Sequence, residues 1–124
     1  MYIDHINISA PAELLLKTRD FYCGVLGLTE GFRPKFSKRG FWLYSEGKPI
    51  IHLVESLEHH RNEKQGFLDH FALQSSGLAA VLGKLDGAGI IYKKSYIPEI
   101  DLSQVFCKDP CGIGVEINFR NESL

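Results

Sequence analysis

Two hexapeptides 65 residues apart share one pattern, and that repetition restricts the fold more than anything else in the chain. Ile3-Asp4-His5-Ile6-Asn7-Ile8 and Leu68-Asp69-His70-Phe71-Ala72-Leu73 both run apolar, Asp, His, apolar, small, apolar. Short, alternating and rich in β-branched or aromatic residues, each is predicted to be a strand. Each leads into a helix-like segment. The first has Pro11 near its start, where the missing amide donor does no harm, and runs from Ala12 to a close near Gly27. The second follows Ser75-Ser76, predicted caps, carries Leu78, Val81, Leu82 and Leu85 on one face, and stops at Gly87 or Gly89.

Three strand-like runs follow each helix. In the first half they are Glu30 to Arg33, Phe41 to Ser45 and Pro49 to Glu55. In the second they are Ile91 to Tyr96, Ser103 to Lys108 and Gly114 to Phe119, with Asp109-Pro110-Cys111-Gly112 as the turn before the last. The polar stretch from Ser56 to Gly66, which contains His59 and His60, is predicted to be a solvated connector. The economical fold is α+β: two tandem βαβββ modules, residues 1–64 and 65–124. A single-copy ferredoxin-like fold with added strands is the competing topology.

The duplication gathers scattered polar residues into a candidate site. His52 and Glu116 lie 64 residues apart, each in the last strand of its module, just as His5 and His70 occupy the two first strands. Side chains two apart share a strand face. In all four strands the neighbours on the opposite face are apolar: Ile6 and Ile8, Ile51 and Leu53, Phe71 and Leu73, Val115, Ile117 and Phe119. The candidate ligands therefore point away from the helices. Glu55 follows the opposite alternation from His52 and is given no site role.

Composition narrows the function. At 124 residues and 44% hydrophobic content, one domain with a real core is expected. A net charge of −1 builds no field for a phosphate backbone or an anionic membrane, so neither nucleic acid nor membrane is expected as a partner. No run approaches a membrane span, and the start carries His and Asp where a signal peptide needs a basic, then apolar, stretch. Three cysteines in a chain of this size suit a reducing compartment, so a cytoplasmic protein is expected. Cys107 and Cys111 lack a second thiol pair and are assigned packing or turn roles. The basic run Arg33, Lys35, Lys38 and Arg39 is either a soluble loop or a grip for a carboxylate or phosphate.

The segments DHINI, FYCGVLGL, IIHL, LDHFALQ and VFCKDPCGIGVEI resemble the glyoxalase, bleomycin-resistance and extradiol-dioxygenase superfamily, the vicinal oxygen chelate proteins, across essentially the whole chain. That resemblance implies an open, cup-shaped sheet around one divalent metal ion held by His5, His70 and Glu116. His52 falls where the glyoxalase and epimerase branches place a fourth ligand, there usually Glu or Gln. The donor set suits Zn, Ni, Co, Mn or Fe(II). Such a metal polarises a carbonyl and makes an adjacent proton removable, with Glu116 or His52 as general base.

Three functions remain open at this point: a glyoxalase-like lyase or isomerase on a small molecule chelating through adjacent oxygens, an Fe(II) dioxygenase, and a non-catalytic small-molecule or antibiotic-binding protein. Ligation by His52 favours the first, because it leaves about two open positions, too few for substrate and O₂ together. Phe41 or Trp42 is expected to wall the cavity. A homodimer is expected from open sheet edges and from the resemblance.

Overall fold

The computed structural model describes residues 1–59 and 63–124, so His60 lies outside the described residues. The chain divides into two units, Met1–Glu63 and Lys64–Leu124. The first holds β1 (Ile6–Ala10), α1 (Ala12–Asp20), β2 (Thr29–Gly31), β3 (Gly40–Ser45) and β4 (Lys48–Glu55). The second holds β5 (His70–Ser75), α2 (Leu78–Gly87), β6 (Tyr92–Ile97), β7 (Leu102–Lys108) and β8 (Gly114–Arg120). Each unit builds a four-stranded mixed sheet, ordered β1-β4-β3-β2 and β5-β8-β7-β6. The first and last strands of each unit pair in parallel and the rest antiparallel. This is the tandem βαβββ arrangement, not a ferredoxin-like sheet.

Parallel neighbours cannot be joined by a tight turn. The chain therefore leaves β1 through α1 and returns through two antiparallel strands. The β3–β4 hairpin closes at Glu46-Gly47, both at positive φ (51° and 78°), the backbone a two-residue turn of this hand requires. In the first unit α1 packs on the sheet, burying Leu14, Leu15 and Thr18 over Ile8, Leu43, Ile51 and Leu53. The helical path continues as expected beyond Asp20 but widens to a π-type turn over Phe21–Val25. Phe21, Tyr22 and Val25 stay buried through it, and Gly27 ends the segment at φ 80°.

The second helix buries the predicted face, Leu78, Val81, Leu82 and Leu85. Each such side chain contributes roughly 1.5–3 kcal/mol of burial. Its cap differs from expectation. Ser75 is the last residue of β5, and neither Ser75 nor Ser76 caps α2; Gly77 precedes the helix at φ 78°. The Glu122 carboxylate accepts from the amides of Gly77 (3.0 Å) and Leu78 (2.7 Å). A carboxylate placed at a helix N-terminus satisfies orphan donors and opposes the positive end of the dipole. Because it comes from 44 residues away, no local sequence signal announces it.

Strand boundaries also shift, β2 ending at Gly31 rather than Arg33. β1 begins at Ile6 and β5 at His70, because the parallel ladders start there, at Ile6 opposite Ile51 and His70 opposite Gly114. Tyr2, Ile3 and Leu68 are left exposed ahead of them. The Asp109 turn forms as read: its Oδ1 accepts from the amides of Cys111 (2.9 Å) and Ile113 (3.0 Å). All three cysteines are thiols, and burial pushes that of Cys107 up to about 11. Among the described residues, no helix is long and apolar enough to cross a membrane.

Replacing Glu122 with Ala should lower the unfolding free energy by about 1 kcal/mol, the usual loss for a helix cap, with Glu122→Gln losing less. Urea unfolding followed by circular dichroism measures both. An unchanged midpoint in Glu122→Ala would remove Glu122 as the cap.

Candidate metal centre

Strand register builds the same local geometry in both units. Asn7 stands opposite His52 on β4, and Ala72 stands opposite Glu116 on β8. His5 lies two residues before Asn7, and His70 two before Ala72. Each histidine therefore meets its partner diagonally across the parallel ladder, within reach of a long side chain. The structure brings His5 together with His52, and His70 together with Glu116.

In the second unit, His70 Nε2 lies 3.0 Å from Glu116 Oε2. Two donors about 2.1 Å from one ion and at right angles to each other are separated by about 3 Å, so this pair fits adjacent ligands of a single ion. Both groups are braced from behind. His70 Nδ1 bonds Asp69 Oδ2 at 2.7 Å, which leaves Nε2 as the nitrogen turned toward Glu116. Gln104 donates its side-chain amide to Glu116 Oε1 at 2.7 Å and to Asn118 Oδ1 at 3.2 Å, and accepts from the Ser95 hydroxyl at 3.2 Å. Glu116 is 8% exposed, and these partners satisfy its oxygens in place of water. Gln104 escapes a sequence reading based on ligand types. Its one signal is its register opposite Asn118, on the face that carries Glu116.

The first unit repeats the carboxylate brace, with His5 Nδ1 2.7 Å from Asp4 Oδ2, but its second residue sits differently. His52 donates from Nε2 to the Pro49 carbonyl at 3.0 Å. A carbonyl only accepts, so Nδ1 carries the lone pair. The ring is stacked between His5 (centroids 3.8 Å apart, planes 9° apart) and Trp42 (4.2 Å, 15°). An ion bound to an imidazole nitrogen lies in that ring's plane. Two nearly parallel stacked planes do not meet at one ion, so shared ligation by His5 and His52 needs one ring to turn. Trp42 is thus the aromatic on the His52 face, while Phe41 faces the other way under the Arg19 guanidinium, 4.9 Å away.

Other polar candidates are engaged locally. Arg39 pairs with Glu55 at 2.8 Å. Arg33 donates to the Lys38 carbonyl at 3.1 Å and lies over Phe36, while His59 pairs with Glu63 at 3.0 Å. Among the described residues, no group of three or more His, Cys, Asp or Glu side chains is arranged to hold a metal ion. Within its own unit, each candidate histidine has one candidate ligand beside it.

The two site histidines with perturbed acidity move in opposite directions. The hydrogen bond to Asp69, and then the neighbouring Glu116 charge, hold the His70 imidazolium above the ordinary value. Burial, and then repulsion from His5, hold His52 below it. For His70 the folded state binds the proton more tightly, so its stabilisation is present below about pH 6.5 and is lost as pH rises through the raised value. For His52 the stabilisation is present above about pH 6.5 and is lost as pH falls through the lowered value. In chelator-treated protein, NMR titration of the ring protons should place the His70 midpoint above that of His52, and Asp69→Asn should bring His70 down. Coincident midpoints would contradict this electrostatic arrangement.

No family model matches the chain, and no curated protein matches it. Solved structures do. A glyoxylase/bleomycin resistance protein/dioxygenase domain from Frankia sp. superposes with a TM-score of 0.78 at 16% identity, covering 100% of this chain and 95% of that one. The fosfomycin resistance protein FosX from Listeria monocytogenes, solved with Mn(II) and a dihydroxypropylphosphonic acid, gives 0.68 at 16% identity, covering 99% and 94%. An antibiotic binding protein from Streptomyces sp. gives 0.63 at 20% identity, covering 97% and 98%. With two βαβββ units in tandem and these likenesses along its whole length, the chain has the fold of the glyoxalase, bleomycin-resistance and dioxygenase proteins, the vicinal oxygen chelate fold.

Proposed function

We propose that this chain is a divalent-metal-dependent enzyme of the glyoxalase type, carrying out lyase or isomerase chemistry on a small substrate that chelates through adjacent oxygens. The observation that carries the reading is the His70–Glu116 pair, 3.0 Å apart and braced by Asp69 and Gln104. A ligand-type pair at these places counts against a protein that only binds small molecules. In this reading His5, with Asp4 behind it, joins His70 and Glu116 as the third ligand. The fold likeness to FosX, whose structure holds Mn(II), supports a divalent ion. When bound, the metal supplies Lewis-acid polarisation of a substrate oxygen.

The remaining work falls to the chain's own side chains. Glu116 has Oε1 occupied by Gln104, so Oε2 alone is presented to the site. His52 is the fourth candidate ligand: its Nε2 is on the Pro49 carbonyl, so Nδ1 is the nitrogen it would offer to the metal once its ring turns off His5, or, as a base, to a proton. Trp42, stacked on His52, screens one face of that ring from water. A second reading draws on the same stack. If His52 keeps its ring on His5 and off the ion, three coordination positions stay open and an Fe(II) dioxygenase becomes feasible.

Single Ala variants of His5, His70 and Glu116 should each lower metal content sharply after dialysis, and the triple variant should bind none. Gln104→Leu and Asp69→Ala should weaken affinity by about 10- to 100-fold, the usual effect of losing a group that orients a ligand. Metal analysis checks both, and stoichiometric metal in the triple variant would sink the assignment. Turnover should be indifferent to oxygen; O₂ uptake coupled to turnover with Fe(II) would favour the second reading. We also propose a homodimer, supported by exposed Tyr2, Ile3, Phe67 and Leu68 ahead of the first strand of each unit. Sedimentation should show a dimer at micromolar concentration, and a monomer there would reject it.

A further inference from the structure

The open face of the second sheet is laid out in rows by its register. His70, Gly114 and Lys108 stand side by side in the first row, Ala72, Glu116, Phe106 and Lys93 in the second, and Gln74, Asn118, Gln104 and Ser95 in the third. A cleft of about 620 Å³ opens at the first-row end of the sheet, reached from the open face by His70, Phe106, Lys93 and Lys108 and from the helix-facing side by Cys107 and Val115. Gly114, in the middle of the first row, contributes no side chain. A Cβ there would run into the Asp69 carbonyl and the His70 Cβ. The cleft thus lies against His70, inside one unit.

Its lining alternates apolar and basic side chains. Phe106 meets the His70 ring edge-on, with centroids 6.3 Å apart, and Ile91, just before β6, is 91% exposed. Phe106 is thus an apolar surface beside the His70–Glu116 pair, while Ile91 leads into β6, the outer strand, and lies beyond Lys108. Lys93 and Lys108 are exposed, and neither makes an ion pair among the described residues. Asp69 also lines the cleft, but its carboxylate is taken by His70. Lys108 stands two strands from His70, and Lys93 two strands from Glu116. At about 4.8 Å per strand, each lysine backbone lies about 10 Å from the pair. The basic loop of the first unit is less available, with Arg39 on Glu55 and Arg33 on the Lys38 carbonyl.

We propose that this cleft is the substrate subsite and that it selects a small organic acid. The ligand has an aryl or short alkyl body lying on Phe106, and a carboxylate or similar oxyanion between Lys93 and Lys108, within about 10 Å of the His70–Glu116 pair. The oxygen-chelating end rests on the metal-centre reading above. The anionic end does not.

The test is an amide NMR titration of metal-free and Zn(II)-loaded protein with phenylacetate, phenylphosphonate and neutral 2-phenylethanol. In the metal-free protein at least one acid should shift the amides of Phe106, Lys108 and Gly114, and the alcohol should bind about tenfold or more weakly. The double variant Lys93→Gln/Lys108→Gln should lose about tenfold in affinity for the acid and nothing for the alcohol. Equal binding of acid and alcohol, unchanged acid affinity in the double variant, or shifts confined to other surfaces would overturn the proposal. An acid preference that persists without Zn(II) and is not increased by it supports the subsite while counting against the metal-centre reading, so the two failures are distinguishable.

Discussion

In each unit the first and last strands run side by side in parallel, and the register of that ladder determines what the open face presents. Side chains repeat every two residues along a strand, so a slip of one position would turn His52 or Glu116 under the helix and bring Ile51 or Val115 out. The helix side opposes such a slip. Ile8, Ile51 and Leu53 in one unit, and Phe71, Val115, Ile117 and Phe119 in the other, are all buried. Exposing them would cost far more than any polar contact on the open face returns. The apolar layer under the helices thus places the polar layer above them.

Much of this was legible in the residue order, because alternation and duplication are averaged over many positions. The four-stranded units, the buried face of α2 and the face shared by the candidate ligands all follow from period-two and 3.6-residue patterns. What could not be read depends on single long-range contacts. Glu122 reaches α2 from beyond β8, and Gln104 reaches Glu116 from the neighbouring strand. Ser75-Ser76 looked like a cap because capping residues are recognised by proximity, and here the acceptor that fills the role is remote. The His5–His52 stack was equally hidden, since a donor type in the right place says nothing about ring orientation.

The two units have kept the backbone and changed the charge. In the first, two imidazoles lie face to face, and burial and repulsion from His5 hold His52 below the ordinary imidazole value. In the second, an imidazole favoured as the cation meets a carboxylate. The difference extends to the next strand. The residue corresponding to Gln104, 64 positions earlier, is Gly40, where a Cβ would collide with the Leu53 carbonyl. The first unit therefore has no room for an amide like the one that steadies Glu116.

The Gln104 amide has two unlike ends, and its neighbours are not interchangeable. Its nitrogen faces Glu116 Oε1 and Asn118 Oδ1, both acceptors, while its oxygen receives the Ser95 hydroxyl. Rotating the amide by half a turn would set oxygen against two oxygens and nitrogen against a hydroxyl, replacing three attractions with at least two repulsions. The arrangement therefore has an electrical polarity that runs across the strands from β6 toward β8. The buried acid, which can only accept, thus fixes the amide's direction, and a hydroxyl on the sheet's outer strand, free to donate or accept, takes up the role that direction leaves it.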